Sequence, residues 1–90
     1  MGGQTKVDFG ICRIWVFLND DACRAFCAGA EISSLIAGLC DPEMISKIAL
    51  VCAGVVAAVV SMQNKGDGVI FKIPYVPAIA LLRPPEIVPQ

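Results

Sequence analysis

The apolar positions of this chain follow strand-like spacing at its two ends and helix-like spacing in its middle. Residues 6–18 are rich in β-branched and aromatic side chains and are bounded by turn formers, which predicts a strand. Its odd positions, Val7, Phe9, Ile11, Trp15 and Phe17, make a bulky face interrupted by Arg13. The even positions begin polar at Lys6 and Asp8 and turn apolar at Ile14, Val16 and Leu18. Asn19, Asp20 and Asp21 then supply a capping side chain and first-turn acids, so a first helix is expected over 20–39. Cys23, Cys27, Ala30, Ser34 and Ala37 give it a stripe of small residues.

A second helix is expected over 42–64. Asp41, Pro42 and Glu43 open it with a cap, a first-turn proline and an acid at the positive end of the helix dipole. Asn64, Lys65 and Gly66 close it. Residues 48–64 carry no charge and are apolar on every face as far as Met62, so something must surround them. Ala53, Gly54, Ala57 and Ala58 match the small stripe of the first helix, which predicts a close-packed helical hairpin.

Residues 69–82 read as a second strand that alternates about Lys72 and carries Phe71 and Tyr75. Pro74 and Pro77 would restrict it to an edge position, a bulge or an extended run. Residues 83–90 read as a polyproline-like tail and residues 1–5 as a flexible start. The expected fold is therefore a single α+β domain of strand–helix–helix–strand order, with a central apolar helical hairpin and a small antiparallel sheet. Two strands alone leave two open edges, so the sheet is expected to be completed by oligomerisation. Ile11, Trp15, Phe17, Ala53, Gly54, Ala57, Ala58, Phe71 and Tyr75 are the residues expected to carry packing and self-association.

Composition sharpens that expectation. Hydrophobic residues make up 57% of the 90 residues and charged residues 17%, and mean hydropathy is +0.73. So small a domain cannot hide that much apolar surface, which points to copies of itself, a lipid membrane or an apolar ligand as the covering. A net charge of −1 with no basic patch argues against nucleic acid as a partner. The chain has no histidine, so its serines lack the usual base and no hydrolase triad can be assembled. No cofactor or metal is expected. The five cysteines are odd in number and form no C-x-x-C pair, and they read as small buried hydrophobes.

No secretory signal is visible, because the first apolar run carries Arg13 and lacks a small-residue cleavage site. Cytoplasmic synthesis is expected, with any export by a non-classical route. The function expected first is a non-enzymatic protein that builds a soluble homo-oligomer, shell or filament. A membrane-active toxin or pore-former inserting its hairpin is the alternative, and an apolar-ligand or partner-binding module the next. Seventeen uncharged residues span about 26 Å as a helix, short of a hydrocarbon core of about 30 Å.

Overall fold

Apolar parity builds the sheet. Inward positions are odd at Val7 and Phe9 but even at Ile14, Val16 and Leu18, and a turn between them resolves the switch. The structure, a computed structural model, describes residues 3–76, 81–82 and 85–90. In it the expected first strand is a hairpin of β1 (Lys6–Gly10) and β2 (Arg13–Leu18), joined by Ile11 and Cys12. Cys12 sits in the left-handed region at φ 58°, a conformation that costs a side-chain-bearing residue about 1–2 kcal/mol. Its carbonyl accepts the Tyr75 N–H at 3.0 Å, which holds the turn against the next strand. The turn also regroups the faces: Val7 lies opposite Val16 and Phe9 opposite Ile14, away from Trp15 and Phe17.

Strand β3 (Val69–Val76) pairs antiparallel with β2, placing Ile14 opposite Ile73, Val16 opposite Phe71 and Leu18 opposite Val69. It is a central strand, so of the places its prolines allow the edge is not the one taken, because the tail also pairs with it. Strand β5 (Glu86–Pro89) replaces the expected polyproline tail and runs antiparallel to β3, with Ile87 opposite Phe71. A two-residue strand β4 (Leu81–Leu82) pairs with the far end of β3. Pro74 is tolerated for a geometric reason. Since Tyr75 turns its N–H toward β2, the neighbouring Pro74 nitrogen faces the other side, between the last β5 pair at Lys72 and the first β4 pair at Tyr75. Pro77 lies outside the described residues.

The two long helices expected are four shorter ones. The first is α1 (Asp20–Cys27), capped by Asn19, whose side chain accepts the Ala22 N–H at 2.8 Å. Gly29, at φ 109°, ends it, and Gly38, at φ 83°, follows the single turn α2 (Ile32–Leu35). Asp41 caps α3 (Pro42–Cys52) by accepting the Met44 N–H at 2.8 Å. The chain then breaks at residues 53–56, and α4 (Ala57–Gln63) leaves at 97° to α3. The order is thus β-β-α-α-α-α-β-β-β rather than strand–helix–helix–strand.

The helices cover one face of the sheet. Ile14, Val16, Leu18, Val69, Phe71 and Ile73 are buried there beneath Cys23, Ile36, Ile48, Cys52 and Val60. The Phe26 ring meets Phe71 edge-on, centroids 6.0 Å apart. Asn64 locks α4 to α1 by donating to Asp20 at 2.8 Å and accepting the N–H groups of Gly66 and Gly68. That amide, with Arg24 at 3.1 Å after it, holds the Asp20 carboxyl below the usual carboxylate range. The Gln90 side chain donates to the carbonyls of Gln4 and Leu18, so the described start and end of the chain lie together.

Candidate functional site

The nine residues expected to act together lie in four places. Ile11 stands at the tip of the hairpin turn, 94% exposed and outside any strand. Trp15 and Phe17 lie on the outer sheet face. Phe71 is buried in the core and Tyr75 packs against it. Ala53, Gly54, Ala57 and Ala58 sit at the break between α3 and α4, with Ala53, Gly54 and Ala58 exposed. The close-packed hairpin is therefore absent at Gly54, where an added Cβ would meet nothing within 4 Å.

Among the described residues, four of the seven large hydrophobic side chains that stand exposed belong to the α3–α4 region. Leu50 is 77% exposed, Val56 60% and Met62 74%, and Val59 is also open. Two recesses that share Val55 lie here, one bordered by Leu50 and the other by Val56 and Val59. The larger, about 600 Å³, is lined by Phe26, Ile32, Ala49, Leu50 and Cys52, with Glu31, Ser33 and Ser46 as its polar side chains. The smaller, about 380 Å³, lies among Val51, Val56, Val59, Pro85 and Ile87. The uncharged stretch 48–64 announces this region, but Leu50, Val56, Val59 and Met62 were not separable from core residues until the helix broke at Gly54. A continuous helix would have turned them toward different neighbours.

Ser34 Oγ donates to the Glu31 carbonyl at 2.8 Å and Ser46 Oγ to the Pro42 carbonyl at 3.1 Å, so both hydroxyls serve local backbone. All five cysteines are free thiols. Cys23 and Cys52 fit the expectation of buried hydrophobes, while Cys12 and Cys27 are exposed. Burial pushes the Cys23 thiol up to about 11 and the Cys52 thiol up to about 12, and it raises Cys40 as well. Among the described residues no group of three or more Cys, Asp or Glu could hold a metal ion.

The outer sheet face has a different character. Trp15 and Phe17 stand with ring centroids 6.4 Å apart and are roofed by cations. Lys6 lies 4.8 Å from the Phe17 centroid, Arg13 Cζ 3.9 Å from that of Trp15, and Lys72 Nζ 4.8 Å from the same ring. Set against protein-family models, curated proteins and solved structures, the chain gives no match.

Proposed function

We propose that this is a non-enzymatic, self-associating protein whose α3–α4 corner is the contact between folded copies. One observation carries the reading: protruding Leu50 and Val56 border largely apolar recesses of about 600 and 380 Å³ at this corner, with Val59 and Met62 exposed along α4. A two-fold interface uses the same patch twice, so it needs knobs and holes on a single surface. A flat lipid boundary needs only the knobs.

The protomer is compact without help. Its radius of gyration of 12.0 Å matches the ~12 Å expected of a 90-residue domain. A stable dimer buries about 800 Å² per partner, roughly a sixth of the 5117 Å² surface. Completion of the sheet by a second copy is the lesser route, because β1 is five residues long and bears Lys6 and Asp8.

The membrane reading draws on the same corner. Among the described residues no single helix is long and apolar enough to cross a membrane. Helices α3 and α4 pass that test as a pair, but with a 97° bend between them. Crossing as one continuous helix would require straightening them, whereas a re-entrant insertion would keep the bend. Interfacial helices also set cations beside their apolar face, whereas Lys47 is paired with Glu43 at 3.7 Å.

Sedimentation in detergent-free buffer tests the proposal. Wild-type protein should have the mass of a discrete oligomer, and Leu50→Glu with Met62→Lys should return it to a folded single copy. A wild-type monomer, or dye release from liposomes that both substitutions abolish, would overturn it.

A further inference from the structure

We propose that the outer sheet face holds a binding site for a small oxyanion, a carboxylate or phosphate group, in the cleft between Arg13, Trp15, Lys72 and Glu86. The site is independent of the α3–α4 corner. Register brings it together: Trp15 lies directly opposite Lys72, and Lys72 directly opposite Glu86. The resulting cleft, about 240 Å³, is also bordered by Cys12 and Pro74. Arg13 and Lys72 both lean on the single ring of Trp15, at 3.9 and 4.8 Å. Among the described residues neither cation has an ion-pair partner. Glu86 is the one acid lining the cleft, against two cations.

Two further features show that the guanidinium is seated rather than loose. Gly10 lies opposite Arg13 in the hairpin, and a Cβ there would run into the Arg13 Nε, Cγ and Cζ. Glycine at this position leaves the room in which the arginine lies over Trp15. A guanidinium stacked on an aromatic face keeps its N–H fork free in its own plane, the geometry that matches a carboxylate or phosphate. The Nη1 atom is buried and has no hydrogen-bond partner among the described residues. A charged donor left dry is costly, and an oxyanion would satisfy it. Lys72 and Glu86 are long side chains on neighbouring strands that line the same cleft, and a side-chain rearrangement there is required to bring the anion to Nη1. Lys72 then supplies the second positive charge.

Trp15 is the chain's one tryptophan, so its emission reports on this cleft. The experiment titrates the full chain with inorganic phosphate and, separately, with acetate, sodium chloride holding the ionic strength constant. A saturable change with either anion is expected; phosphate alone identifies the phosphate class, and acetate the carboxylate class. Gly10→Ala keeps every charge yet displaces the fork, and should weaken binding about tenfold. Glu86→Gln, at an exposed position, should tighten it and carries the test if Gly10→Ala fails to fold. Absence of saturation with both anions, an equal response to chloride, or wild-type binding by both variants would overturn the site.

Discussion

On the inner face of the sheet, Val16, Phe71 and Ile73 have no exposure at all, whereas Leu50 and Met62 on the α3–α4 corner are about three-quarters open. Residues of the same chemistry meet opposite fates for a geometric reason. In the sheet, each apolar side chain has a partner across the strand and a helix above it. At the corner, a seven-residue helix departs at 97° from its predecessor, so only Val60 of α4 is fully buried, Ala57 is half-buried, and Ala58, Val59 and Met62 are exposed. Apolar excess in a composition says nothing about location. Here the register of the strands absorbs one share of it, and the broken helix leaves Leu50, Val56, Val59 and Met62 exposed.

Substitutions should separate the two regions by size of effect. Phe71→Ala removes a ring with no exposure that also meets Phe26 edge-on, and should cost about 3–5 kcal/mol in chemical denaturation. A loss under about 1 kcal/mol would mean that the sheet face is not the core. Two glycines then offer a direct contrast. Gly68 has φ 88°, and a Cβ on it would strike the Leu18 carbonyl oxygen, so Gly68→Ala should cost about 1–3 kcal/mol or more.

Alkaline pH probes the thiols beneath the sheet. The fold keeps Cys23 and Cys52 protonated up to about 11 and 12, while an unfolded thiol releases its proton near 9.0. Below pH 9 both states hold these protons and stability is unaffected. As pH rises from there the unfolded state gains, so the melting temperature should fall, and the fall should be smaller in Cys52→Ala under reductant. A melting temperature unchanged to pH 11 would contradict the burial of both groups. The smallest effect belongs to the corner. Gly54→Ala enters open space and should leave stability within about 0.5 kcal/mol of wild type. A larger loss would restore the close-packed hairpin.

Much of this arrangement is legible in the sequence, and the misses have physical causes. Asn19 and Asp41 mark their helix starts because short polar side chains can satisfy free N–H groups only there. The inward row Ile14, Val16 and Leu18 follows from alternation alone. The hairpin was hidden because Ile11 and Cys12 are not turn residues, although the change from odd to even apolar positions records it. Gly29 and Gly54 divide helices whose residue preferences run smoothly across them, and long-range packing decides such breaks. Proline-rich 83–90 reads as a tail, yet Ile87 finds Phe71 across the ladder and Glu86–Pro89 joins the sheet. At the candidate corner the sequence marks the uncharged run but not which side chains emerge from it, because that depends on where α3 stops.

Amide hydrogen exchange at low and high protein concentration tests the central claim most directly, since it reads both regions at once. Residues 48–64 should gain protection as concentration rises, while β2 and β3 stay equally protected throughout. Protection that grows along β1 instead, or exchange that ignores concentration everywhere, would contradict an interface at the α3–α4 corner.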